Sequence, residues 1–359
     1  MSHTTIHIAG REIGKGKPCF VVAEVSGNHN GDYAMAEAIV RAAAEAGADA
    51  IKLQTYTQET MTIDSDKPWF YLQGDDTPAS WKAQNLYGLY GTAYTPWEWQ
   101  PKLKELTESL GLVFFSSAFD ATSVDFLEKM DVPCYKIASY EATDIPLLQK
   151  VAATGKPVIL SVGFAVLEEV EEAVAALRAA GAKDLAVLHC VTAYQGDAHD
   201  ADMNLSTIED IAKRFGVVVG FSDNNGGIEA PVAAVLAGAS IIEKHVTLSR
   251  AAGGPDARFS LEPQELKAMV ERIRGAERIL GTPTYGPVSP QEERYKMLRR
   301  SLFAVQDIKA GEEFSAQSVR VIRPAHGLPP KMLPSVLGRR ASRDIERGTP
   351  LSLEDIADA

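Results

Sequence analysis

The sequence predicts a (β/α)8 TIM barrel followed by a small β-rich domain. Eight short apolar runs recur along the chain, a helix-patterned segment follows each, and the pattern gives way to short strand-and-turn units near residue 299. Apolar β-rich runs alternating with helices argue a parallel sheet, and eight such units close it into a barrel. At 359 residues the chain exceeds a single barrel, which takes roughly 250 residues, so a second domain is expected.

The runs, in order, are CFVVAEV (19–25), AIKLQTY (50–56), LVFFSSAF (112–119), CYKIASY (134–140), PVILSVGF (157–164), LAVLHCVTAY (185–194), VVVGFSD (217–223) and SIIEKHVT (240–247). Helical patterns such as YAMAEAIVRAAAEAG after the first and LEEVEEAVAALRAAG after the fifth supply the outer ring, and PQELKAMVERIRGAERILG closes it. The C-terminal strand ends of a barrel converge on one site. Here they carry Glu24, Lys52, Gln54, Ser117, Lys136, Ser139, Ser161, Thr192, Tyr194, Ser222, Asp223, Glu243 and His245. Buried strand ends rarely hold two lysines and several carboxylates unless a ligand compensates them, so the chain reads as an enzyme.

Side chains alternate along a strand, so Lys52 and Gln54 share a face, as do Glu243 and His245, with Lys244 turned away. Lys136 and Ser139 fall on opposite faces unless the strand is already turning there. Two lysines at homologous strand ends, with hydroxyls from Ser117, Ser139, Ser161, Thr192 and Ser222, predict a phosphate or carboxylate pocket. Neither a Walker loop nor a GxGxxG is present, so a nucleotide is not indicated. His245 beside Glu243 is either a metal ligand or a hydrogen-bonded core histidine. His29 is either a substrate-facing loop residue or a turn residue.

The connection over 57–95, rich in Trp and Tyr, is expected to form a lid or wall over the barrel mouth. GTPTYGPVSP reads as a linker, giving a barrel over 1–281, a linker over 282–298 and a small domain over 299–359. That domain repeats Asp-Ile-x-x-Gly, with Asp307, Ile308 and Gly311 answered by Asp344, Ile345 and Gly348.

A formal charge of −12 argues against nucleic acid or anionic membrane as the main partner. Cys19, Cys134 and Cys190 lack metal-ligand spacing and are expected to be buried thiols in a reducing compartment. With no signal-peptide pattern and no run of membrane-spanning length, the expected location is cytoplasmic.

The stretches AEVSGNHNGD, GADAIKLQTYT, YTPWEW, YKIASYE, LHCVTAY, GFSD, IIEKH and GPDARFSLEP occur in order over the barrel, and RRSLFAVQDIKAGE, RPAHGLPP and DIERGTPLS follow. In these the chain resembles the sialic acid (nonulosonic acid) synthase family, its pseudaminic branch most closely, with a C-terminal antifreeze-like (SAF) domain. The resemblance implies condensation of phosphoenolpyruvate with an open-chain N-acetylated amino sugar, giving a nine-carbon 2-keto acid and phosphate. N-acetylneuraminate and legionaminic acid precursors, or a non-catalytic sugar-phosphate-binding role, are the alternatives. It implies a divalent metal, Mn2+ with Mg2+ or Co2+ as alternatives, and a domain-swapped homodimer. It also implies that Lys52, Ser117, Lys136, Ser139, Ser161, Thr192 and Ser222 bind phosphoenolpyruvate. Gln54, Tyr194, Asp256 and Arg323 would face the sugar, and Glu24, Glu243 and His245 would act in catalysis, the two glutamates as candidates for proton handling. His245 matches one of the family's two metal histidines. Where the family has the other, this chain has Asn224, whose amide oxygen suits a hard ion. Ser161, Val162, Gly163, Phe164 stand where the family has Ser-Thr-Gly-Met, and Ala118 replaces its usual Pro.

Overall fold

The computed structural model describes residues 5–73, 79–82, 84–192 and 200–357. They divide into two compact units, 1–281 and 282–359. The first opens with an antiparallel hairpin, β1 (Thr5–Ile8) and β2 (Arg11–Gly14). Eight parallel strands follow: β3 (Phe20–Glu24), β4 (Ala50–Thr55), β5 (Val113–Ala118), β6 (Tyr135–Ile137), β7 (Val158–Ser161), β8 (Leu185–Val191), β9 (Val218–Asp223) and β10 (Ile241–His245). They close into a barrel in sequence order, with β10 pairing back onto β3. All eight fall inside the apolar runs, because a strand covered on both faces reads as continuous hydrophobicity.

Alternation gives each strand an outer and an inner row. Val21, Ile51, Phe114, Leu160, Val187, Phe221 and Ile242 face outward and pack with helices such as Tyr33–Glu45, Leu167–Ala179 and Pro263–Leu280. The inner row is apolar in its lower half, where Phe20, Val22, Phe115, Ile159, Leu188 and Ile241 form one buried cluster with Ile6, Ile8 and Ile13 of the hairpin. The hairpin thus plugs the lower end of the bore, an element that the eight apolar runs, the first of which begins at Cys19, did not include. The bore is crowded at Gly220, where a Cβ would lie 2.5 Å from the Ile241 carbonyl oxygen. Only glycine fits there.

In the second unit, β11 (Ser301–Ala304) pairs antiparallel with β12 (Val319–Ile322) over a core that includes Leu302, Phe314, Val336 and Leu351. The two Asp-Ile-x-x-Gly copies meet there. Ile308 and Ile345 exchange backbone hydrogen bonds of 2.8 Å. Asp344 accepts from the Ala310 N–H and Asp307 from the Arg347 N–H, both at 2.8 Å. Each aspartate therefore fastens the other copy's turn. The segment 282–298 is helical in its second half, with a helix at Pro290–Tyr295 and a 3-10 turn at Lys296–Leu298. Among the described residues no helix is long and apolar enough to cross a membrane.

Candidate active site

Strand register sets the upper inner row. Glu24 pairs with Lys52, Gln54 with Ser117, Ser117 with Lys136, and Glu243 with Ser222, so polar residues come level at the C-terminal end of the bore. They floor a cavity of about 420 Å3. Lys52, Gln54, Ser117, Lys136, Ser139, Ser161, Thr192, Ser222, Asn224, Glu243, His245 and Asp256 all line it. Glu24 lies behind Lys52, completely buried. Arg323 is exposed just past β12 in the second unit, and Tyr194 falls outside the described residues.

The floor is built on two buried ammonium groups. Lys52 Nζ lies 2.5 Å from Glu24 Oε2 and 3.6 Å from Glu243 Oε1, and donates to Ser117 Oγ at 3.0 Å. Lys136 Nζ donates to Ser161 Oγ at 2.7 Å and to the Ile137 carbonyl at 3.0 Å, with Glu243 at 3.8 Å. Ser222 Oγ donates to Glu243 Oε1 at 3.1 Å. Strand β6 ends at Ile137 and turns, which brings Ser139 to the side that Lys136 faces; Ser139 Oγ accepts from the Gly163 N–H at 3.0 Å. A Cβ on Gly163 would come within 3.0 Å of that Oγ and 3.1 Å of Thr192, a tight fit that leaves little room for a side chain.

Burial pulls the Lys52 ammonium down, but Glu24 and Glu243 outweigh it and hold Lys52 above its ordinary value. At Lys136 burial wins, and its value is lowered despite Glu243. Burial pushes Glu243 up, yet Lys136 and Lys52 together hold it below the usual carboxylate range. Burial raises Glu24 against the pull of Lys52. The ordering is physical: Glu243 faces two cations, and Glu24 pairs directly with one.

Sequence reasoning missed Glu141. It closes the 3-10 turn Ser139–Glu141 and lines the cavity, its Oε2 is buried without a hydrogen-bond partner, and burial raises its value to about 7. The signal available was its place two residues beyond a site serine, but alternation cannot say where a side chain points once the strand has ended.

His245 is buried against Phe259, and burial lowers it to about 4, so the imidazole is neutral. Its Nδ1 is sealed from solvent without a hydrogen-bond partner, as an unliganded metal imidazole would be. Asn224 is buried in the same cavity, its amide nitrogen donating to Cys190 Sγ at 3.6 Å. Among the described residues no three His, Cys, Asp or Glu groups converge on one point. An imidazole nitrogen is a donor for first-row divalent ions and an amide oxygen for the harder of them.

Two expectations resolve differently. Asp223 leaves the bore: both its side chain and that of Lys244 are fully buried on the outer face, 2.6 Å apart, and Asp223 Oδ1 accepts from Asn225. His29 is a structural turn residue. Its Nδ1 accepts from the Gly31 N–H at 3.0 Å, which leaves Nε2 to donate to Thr95 Oγ1 at 3.1 Å and to tie the end of the long connection to the β3 loop.

A closed parallel barrel whose polar side chains gather at the C-terminal strand ends has the layout of a TIM-barrel enzyme. The chain belongs to the NeuB family, whose model matches residues 39–285, and an SAF domain matches 299–357. It is 41% identical over 94% of its length to a pseudaminic acid synthase of Campylobacter jejuni, covering 97% of that protein. A Helicobacter pylori pseudaminic acid synthase is 40% identical, over 95% of this chain and 98% of its own. Among solved structures, an N-acetylneuraminic acid synthetase from Leptospira borgpetersenii superposes with a TM-score of 0.72 at 32% identity, covering 82% of this chain and 96% of that one.

Proposed function

We propose that the chain condenses phosphoenolpyruvate with an open-chain 2,4-diacetamido-2,4,6-trideoxy hexose, giving pseudaminic acid and phosphate. The observation that carries this reading is the pair of buried ammonium groups, each donating to a serine hydroxyl, in a chain about two-fifths identical over nearly its whole length to pseudaminic acid synthases.

Lys52 and Lys136, with Ser117, Ser139, Ser161, Thr192 and Ser222, hold the phosphate and carboxylate of phosphoenolpyruvate by charge-assisted hydrogen bonds. Gln54, Asp256 and Tyr194 bind and orient the acceptor. Carbon 3 of the enol attacks the aldehyde carbon, positive charge develops at carbon 2, water adds there, and phosphate leaves with its bridging oxygen. Glu243, kept ionised between the lysines, opposes the positive charge. Glu24 and Glu141, both raised by burial, hold the protons that the aldehyde oxygen gains and the water loses; Glu141 stands on the cavity surface. His245 and Asn224 would hold a divalent ion, Mn2+ or alternatively Mg2+ or Co2+, whose chemistry when bound is to polarise the aldehyde.

The proposed assembly is a homodimer in which Arg323 of each small domain reaches the N-acyl group at the other barrel. Sedimentation as a monomer at assay concentrations would overturn it. For the reaction, phosphate release and product mass are measured with phosphoenolpyruvate, Mn2+ and candidate amino hexoses. Release with the diacetamido trideoxy sugar supports the reading. Faster release with N-acetylmannosamine or a legionaminic precursor reassigns the acceptor, and no release with any of them refutes a synthase.

A further inference from the structure

Two loops meet beside the cavity, and one hydroxyl joins them. The 3-10 turn Ser26–His29 follows β3, and Asp256 stands immediately before the 3-10 turn Ala257–Phe259. Both Ser26 and Asp256 line the cavity, and Ser26 Oγ donates to Asp256 Oδ2. An aspartate just ahead of a helical turn ordinarily accepts from the backbone N–H groups of that turn. The Asp256 side chain does not cap its turn and is held by Ser26 instead. The Asp256 backbone is fixed separately. Ser260 Oγ donates to the Asp256 carbonyl at 2.7 Å. Buried Asn28 donates from Nδ2 to Ser260 Oγ and to the Val246 carbonyl, both at 2.8 Å. Ser26 itself sits at φ 49°, a left-handed backbone that glycine adopts freely and serine does not. The chain thus carries a side chain where the backbone favours none, and directs it to one carboxylate.

We propose that Ser26 is a positioning residue, whose hydroxyl fixes the rotamer of Asp256 and so aims that carboxylate at the sugar. The inference rests on the synthase reading above and deepens it, because that reading puts Asp256 among the groups that orient the acceptor. The carboxylate of a half-buried loop aspartate has several rotamers open to it. A donor on a buried turn selects one of them before the sugar arrives, so binding does not have to order the side chain. The brace has two parts with separate roles. Asn28 and Ser260 hold the Asp256 backbone, and Ser26 holds its carboxylate.

The test separates the hydroxyl from the backbone. Ser26→Gly removes the donor and gives the left-handed position the residue it favours, so a purely structural role predicts an unharmed enzyme. The positioning role predicts native circular dichroism, a wild-type KM for phosphoenolpyruvate, and a KM for the amino sugar raised about tenfold. A wild-type KM for the sugar in that variant overturns the proposal. So does an equal rise in both KM values, which would report a general loss of cavity structure. In an Asp256→Ala background the same Ser26→Gly change should leave kcat/KM within about twofold, because the group that it aims is gone. A full further loss there would put the hydroxyl on the sugar itself and overturn the positioning role. Silence of the wild-type protein with every amino hexose is a different result, which removes the synthase reading and this inference with it.

Discussion

The two halves of the barrel bore are built by the same strands and do opposite things. Strand β4 places Ala50 in the lower half and Lys52 in the upper, β5 places Phe115 and then Ser117, and β10 places Ile241 and then Glu243. Two residues, a rise of about 6.6 Å, separate them. Below, every inward side chain is apolar and the hairpin isoleucines fill the end, so burial stabilises without compensation. Above, two ammoniums and two carboxylates are held out of water, an arrangement that costs desolvation and is poised for a charged ligand. A barrel can therefore divide stability from chemistry within one strand.

The largest expected effect tests the lower half. Ile8→Ala, at a fully buried position in the plug, should cost about 2–5 kcal/mol of unfolding free energy. Turnover per folded molecule should stay at the wild-type level, as denaturant titration alongside an activity assay would show. A loss of turnover without a loss of stability would mean that the halves are not separable.

Next comes the upper half. Lys136→Met removes a cation whose value burial lowers, meaning that the fold disfavours its charged form. The variant should lose about 1.5–3 kcal/mol of phosphoenolpyruvate binding, read as a rise in KM in protein whose circular dichroism is native. Unchanged KM would remove Lys136 from the anion floor.

The smallest effect concerns His29, at the edge of the upper half. Its folded value is lowered to about 4, whereas an unfolded histidine titrates near 6.5. Between those values the unfolded chain holds a proton that the folded chain does not, so stability falls as pH drops from about 6.5 towards 4. The slope should be on the order of 1 kcal/mol per pH unit. His29→Gln, which keeps a donor for Thr95, should flatten that part of the acid limb in thermal melts taken across the range. An identical acid limb in the variant would show that His29 is protonated in the fold.

Legibility followed the range of the signal. Eight strands stood out because a doubly covered strand is continuously apolar, and Lys52 with Gln54, or Glu243 with His245, could be put on one face because a strand's period is two. The hairpin had a signal too, Ile6 and Ile8 alternating before an Ala-Gly turn and Ile13 after it, but so short a pattern reads equally as a surface arm until there is a bore to fill. Glu141 was hidden because its side chain follows a 3-10 turn, where alternation no longer applies. Asp223 was misplaced by one position of that same alternation, which turns it out to Lys244.

The sequence by itself determined the barrel, the inward rows, the lysines and hydroxyls at the strand ends, and the doubled motif of the small domain. All of these follow from periodicity and composition, which act over a few residues. The tertiary structure decided which carboxylate faces two cations and which only one, that Glu141 joins the cavity, and that His29 fastens a loop. Those outcomes depend on strand register and on loops packing across the barrel mouth. The charge state of a buried group is set by neighbours brought there from tens or hundreds of residues away, and local sequence carries no record of them.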